Sequence, residues 1–208
     1  MKTKEKILIT ALRLFNDKGY HAVTTRHIAT ELSMSPGNLH YHFKHSEDLV
    51  KHLFNDLKVK MDHLLENLKN IEYKDLETLY HYIISTFEIL YSYRFIFLNF
   101  VDILRQIPEI ESQYKNLNIS RKEEFQSIFS DFQKNKIFKE NIPIFILDSL
   151  VTQIFIIGDN WIAYNSLTLK LNKEKALQQY SVIFLNLFYP WLNDDQKKIY
   201  ELKYITEK

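Results

Sequence analysis

Thr24-Thr25-Arg26-His27-Ile28-Ala29 and, five residues further on, Ser35-Pro36-Gly37-Asn38-Leu39-His40-Tyr41-His42-Phe43-Lys44 form the stretch on which the reading of this chain turns. Thr24 or Thr25 can accept the first orphan amide of a short helix that buries Ile28, Ala29 and Leu32, because a hydroxyl oxygen satisfies an N–H group that the helix itself leaves open. Ser35 can cap a second short helix, with Pro36 at its first position, where a preset φ helps and a missing amide costs nothing. Only about three residues separate the two helices, so the turn between them is tight.

Two short helices joined in this way and packed on a preceding one form a helix-turn-helix, whose second helix offers its N-terminal side chains to the major groove of DNA. Leu39 and Phe43, four residues apart, are expected to face the core, which leaves Pro36, Asn38, His40, Tyr41 and His42 on the remaining surface. The small residues Ser35, Pro36 and Gly37 let the helix start come close to a duplex, where free amides attract phosphate.

Upstream, Leu8, Ala11, Leu12 and Phe15 recur at three- and four-residue steps, flanked by Ile7 and Leu14, and Gly19 stands where a helix end needs it, which predicts a first helix over 3–19. Downstream, Lys44 to Asp48 interrupt the pattern. From Leu49 a seam of Val50, Leu53, Leu57, Met61, Leu64 and Leu68 predicts a long fourth helix. Further helices are expected at 74–92, 94–106, 109–136, 143–166, 173–190 and 194–204, punctuated by Pro108, Asn141 with Pro143, Asn172 and Pro190. The fold class is therefore all-α: an N-terminal three-helix head over 1–48, joined by a long helix to a helical body over 49–208. No repeat or low-complexity linker divides them.

Composition agrees. The 208 residues hold 3 glycines and 4 prolines, far below the usual shares of about 7% and about 5%, so breakers are scarce and helices long. No cysteine is present, which removes disulfides and thiolate chemistry and suits a reducing cytoplasm. The charged, amphipathic start does not read as a signal peptide, and Asn99, Asp102, Asp148 and Gln153 break the most apolar runs, so no membrane partner is expected. Residues 1–60 carry 10 Lys/Arg against 6 Asp/Glu and six of the eight histidines, a basic head suited to a polyanion on a mildly acidic body.

In order and spacing, residues 7–54 resemble the TetR/AcrR family of bacterial transcriptional regulators: the two segments quoted above followed by Glu47-Asp48-Leu49. The resemblance implies a homodimer paired through its C-terminal helices, heads on a palindromic double-stranded operator, and a small-molecule effector in the body. It implies no cofactor and no catalysis. Thr25 and Arg26 fall where the family's second helix touches phosphates. Ser35, His40, Tyr41, His42 and Lys44 fall at contact positions, and Pro36, Gly37 and Asn38 where base edges are approached. The chain departs from the family pattern at three places. Leu32-Ser33-Met34 replaces a usual Ala-Gly-Val, which asks Ser33 for a left-handed conformation at about 1 kcal/mol. His40 replaces a usual Tyr and Ser46 a usual Lys, which points to a weaker or more pH-dependent grip on phosphate.

His40 and His42 lie about 200° apart around a helix and cannot share a metal ion. His42 and His45 are better spaced, but no third ligand completes a site, so no metal is expected. In the body, aromatic residues crowd 80–164. Most are expected to be core. Polar groups within apolar runs suggest a ligand pocket, with His81, Phe87, Tyr91, Phe100, Phe125, Phe129, Phe155, Asp159 and Trp161 as candidate lining. Gly158 is expected to permit close helix approach, and Asp159 with Asn160 serves either ligand contact or a dimer seam. Ile154, Trp161, Tyr180, Phe184, Phe188 and Trp191 are expected to be exposed in a monomer and covered by the twofold mate. No phosphate-cradling glycine loop, nucleophile elbow or metal cluster supports an enzyme. A helical small-molecule carrier or an enzyme stays open as the alternative to a ligand-responsive repressor.

Overall fold

The computed structural model describes residues 2–72 and 74–205, and it is helical throughout apart from turns and an isolated antiparallel bridge between Phe138 and Leu192. The helices are α1 (Thr3–Lys18), α2 (Thr25–Glu31), α3 (Pro36–His42), α4 (Ser46–Asn70), α5 (Leu76–Ser92), α6 (Arg94–Leu98), α7 (Phe100–Gln106), α8 (Pro108–Lys134), α9 (Ile144–Leu167), α10 (Lys173–Leu185) and α11 (Asp194–Tyr200). The expected helix over 94–106 is two helices. Asn99 Nδ2 donates to the Phe95 carbonyl at 2.8 Å, taking the acceptor that a continuing helix would need, and the Asn99 backbone leaves the helical region. The expected helix over 173–190 ends at Leu185, after which the amides of Leu187 and Phe188 reach back three residues and tighten the chain toward Pro190.

The chain forms two compact units, one running to Met61 and including Ile89–Tyr114, the other made of Asp62–Glu88 and the chain from Lys115 onward. In the first unit α1 buries Ile7, Ala11, Leu14 and Phe15, so the inward stripe is centred on Ile7 and Leu14, while Leu8 and Leu12 are half-buried. Phe15 lies 5.7 Å from Tyr20 and 5.1 Å from Phe95, ring centre to ring centre. Asn16 ties distant segments: its Nδ2 donates to the Ser92 carbonyl at 2.8 Å and its Oδ1 accepts the Phe95 amide at 3.1 Å. The latter bond satisfies one of the free amides at the start of α6. Arg94 reaches Asp17 at 3.2 Å and His21 reaches Asp102 at 2.7 Å on the surface of the same unit.

The second unit is built around aromatic rings. Phe87 stacks on Trp161 at 4.9 Å and meets Phe184 edge-on at 5.3 Å, and the chain of contacts continues through Phe188 to Phe138 and Phe129. Trp161, Tyr180, Phe184 and Phe188 are therefore buried within the monomer, against the expectation that a partner covers them, while Ile154 and Trp191 are half-buried. A helix that is apolar on all sides does not announce which stripe points inward, and α9 is such a helix. The apolar side chains it leaves exposed are Ile144, Phe145, Ile156, Tyr164 and Leu167. By length and composition α9 could cross a membrane, a test that core helices also pass. Gly158 does not mediate a close approach, since a methyl group built on it meets nothing within 4 Å.

Candidate nucleic-acid interface

Capping side chains set the ends of the reading element. Thr24 Oγ1 accepts the His27 amide at 3.4 Å while His27 Nδ1 accepts the Thr24 amide at 3.3 Å, a reciprocal box with imidazole in the place usually taken by a carboxylate or amide. Ser35 Oγ accepts the Asn38 amide at 3.2 Å, with Pro36 in the first turn of α3. Between these two starts, Ser33 takes φ 51°, the left-handed conformation expected of it. Its amide donates to the Thr30 carbonyl and that of Met34 to Ala29, which closes the turn. Leu39 and Phe43 are both 1% exposed and anchor α3 from below. At the next helix start Asp48 accepts the His45 amide at 3.1 Å.

The outward side of α3 then follows. Pro36, Gly37, Asn38, His40 and Tyr41 are exposed, Tyr41 by 85%, and His42 is half-buried with its ring edge-on to Tyr41 at 5.2 Å. Arg26, Ser35 and Lys44 are exposed and Thr25 half-buried. All ten sequence-predicted contact residues thus fall within α2, α3 and the cap and turn residues beside α3, with the seven from Ser35 to His42 contiguous except for buried Leu39. Tyr41 is a large ring that the protein itself leaves in water. Such a surface can hydrogen-bond phosphates, reach base edges with an amide and stack or pack on sugar and methyl groups. His52 completes the support: its Nδ1 donates to the Asp48 carbonyl at 2.9 Å, leaving Nε2 to accept from Lys4 at 2.8 Å, and its ring sits edge-on to Phe43 at 5.2 Å. Spacing alone did not single out His52, whose partner lies 48 residues away. Among the described residues no group of His, Cys, Asp or Glu is arranged to hold a metal ion.

The nine candidate ligand residues are distributed over both units. Phe87, Phe129 and Trp161 are buried in the aromatic core, Phe125 lies 6.1 Å from Phe129, and Phe155 and Asp159 are half-buried on α9. Tyr91 and Phe100 belong to the first unit, Tyr91 beneath the Arg94 guanidinium and Phe100 edge-on to Tyr114. His81 is exposed, 3.5 Å from Glu77, and lines an open groove of about 530 Å³ with Leu64, Leu68, Ile71, Asp75, Thr78 and Tyr82. Burial pushes the Tyr82 hydroxyl up to about 12. Of these neighbours Asp75 had a readable signal, the Asp-x-x-Thr spacing by which it caps α5 through the Thr78 amide at 2.7 Å.

Comparison with known proteins covers both units. The family model described as "Bacterial regulatory proteins, tetR family" matches residues 7–53, and that described as "Bacterial transcriptional repressor" matches residues 57–200. The HTH-type transcriptional regulator QacR of Staphylococcus aureus is 46% identical over 55 residues, which are 26% of this chain and 29% of that protein's length. IcaR of the same species, named as the negative transcriptional regulator of the biofilm operon icaADBC, is 26% identical over 149 residues, 69% of this chain and 78% of its own. A crystal structure of a TetR-family transcriptional regulator from Marinobacter aquaeolei VT8 superposes with a TM-score of 0.86 at 28% identity, covering 95% of each chain. With one family model on the helix-turn-helix and another on more than half of the sequence, this chain belongs to the TetR family of bacterial transcriptional repressors.

Proposed function

We propose that this chain is a ligand-responsive repressor that acts in the cytoplasm as a homodimer on a palindromic operator. The observation that carries the reading is α3 itself: a short helix anchored by Leu39 and Phe43, capped by Ser35, and presenting Asn38, His40 and Tyr41 to solvent. Thr25, Arg26, Ser35, His40, Tyr41, His42 and Lys44 hold phosphates and fix the register. Pro36, Gly37 and Asn38 meet base edges, with Asn38 as the hydrogen-bonding reader. Residues 1–48 do the reading, and residues 49–208 bind the effector and dimerise. The exposed apolar side chains of α9 suit the seam, and a twofold axis there would set two copies of α3 at about 34–36 Å, one turn of duplex apart.

The effector must prefer a head spacing that does not fit DNA, because equal affinity for both states shifts nothing. A small apolar or aromatic molecule suits a body so rich in rings. The reading is tested by gel shift on the DNA upstream of the chain's own gene. The native protein is expected to shift it in a salt-sensitive way, and Y41A/H42A to lose the shift while keeping helical content. A monomer without salt-sensitive affinity for any duplex would overturn the proposal.

A further inference from the structure

The reading surface is short of permanent positive charge and rich in imidazole. Among its expected contact residues Arg26 and Lys44 are the lasting cations, whereas His40 and His45 are both exposed, with ring centres 6.4 Å apart and edge to face. Charged and titratable groups on the elements flanking them are Arg26, His27 and Glu31 on α2, Tyr41 and His42 on α3, Lys44 in the turn, and Glu47, Asp48 and His52 on α4. Several are already engaged. His27 closes the α2 cap, His52 bridges the Asp48 carbonyl and Lys4, and the Asp48 carboxylate takes the His45 backbone amide. Among the described residues the histidines paired with a carboxylate are His21 and His81, and neither the His40 nor the His45 side chain has such a partner.

We propose that DNA binding by this head takes up protons, with His40 and His45 as the residues that gain them. The inference rests on the DNA-binding reading above and adds a linkage to it. Two imidazolium rings this close repel one another and the adjacent Lys44 charge, whereas phosphates placed against them favour the charged form. An opposite charge within about 4–6 Å favours the charged form of such a group. Affinity then rises as pH falls, because the complex holds the charged form that the phosphates favour. His45 joins the interface as a contact residue under the same argument.

The test uses the full chain and a fluorescein-labelled duplex of mixed sequence, so that no operator need be known, with anisotropy titrations at about pH 8 and about pH 6 over a salt series. The native protein is expected to bind about tenfold more tightly at the lower pH. The slope of log affinity against log salt is expected to steepen by about 1–2 for each head engaged, as each added phosphate contact contributes about 0.9. H40Q/H45Q is expected to lose the pH response, and H40K/H45K to hold the tighter affinity at both pH values, with circular dichroism confirming that each is folded. An unchanged affinity in the native protein, or an undiminished response in H40Q/H45Q, overturns the inference and leaves DNA binding standing. If neither the native protein nor H40K/H45K binds at any pH, the DNA-binding reading falls as well.

Discussion

The head and the aromatic body solve the same problem, holding helices in place, by opposite means. In the head each critical helix start is set by a side chain three residues from its partner: Thr24 with His27, Ser35 with Asn38, Asp48 with His45. In the second unit the rings that touch one another come from residues 87, 129, 138, 161, 180, 184 and 188, drawn from four helices and two connecting segments. Local rules make a surface that can vary its exposed letters without losing its shape. Distributed packing makes a core in which every ring depends on several others.

That contrast can be broken at its strongest point first. Phe87 is fully buried between Trp161 and Phe184, and F87A is expected to cost about 3–5 kcal/mol in chemical denaturation. A loss of under about 1 kcal/mol would show that the aromatic body is loosely packed. Asn16 is the exception in the head, a polar residue with a long-range structural role. N16A removes the hydrogen bonds to the Ser92 carbonyl and from the Phe95 amide and is expected to cost about 1–3 kcal/mol by the same measurement.

A smaller effect depends on pH. Burial acts to raise the Glu124 carboxyl, but the hydrogen bonds from Lys69 and Arg121 outweigh it, and the net shift is downward. A carboxyl held below its unfolded value contributes stability that is present above the ordinary carboxylate range and lost as pH falls through it. The native protein is therefore expected to be more stable than E124Q near neutral pH, with the gap closing below about pH 4. A gap that persists in acid would assign the effect to packing. Smallest of all, S33G relieves the left-handed turn at φ 51° and is expected to raise stability by about 0.5–1 kcal/mol, read as a higher melting temperature.

The same contrast explains what could be read in advance. Leu39 and Phe43 were legible as buried, and Ser33 as left-handed, because spacing, capping and turn chemistry act within a few residues. The inward side of Trp161, Tyr180, Phe184 and Phe188 was not, because neither α9 nor α10 carries one dominant apolar stripe, and distant neighbours decide which side chains are covered. The break at Asn99 was missed for a related reason: a single amide side chain competing for the Phe95 carbonyl outweighed a helical pattern that continued through it. In the first unit, the ring of His52 takes its place from Lys4, a residue that no short window connects to it.

Because Phe15 rests on Phe95 and Asn16 clamps the backbone at Ser92 and Phe95, the N-terminal reading module is not a cassette that ends where its sequence signature does. A chimera that transplants only the first four helices onto another family member would inherit a foreign surface beneath α1. Exchange of operator specificity between relatives is therefore best sought by grafting the outward letters of α3, or by moving Ile89–Tyr114 together with the head.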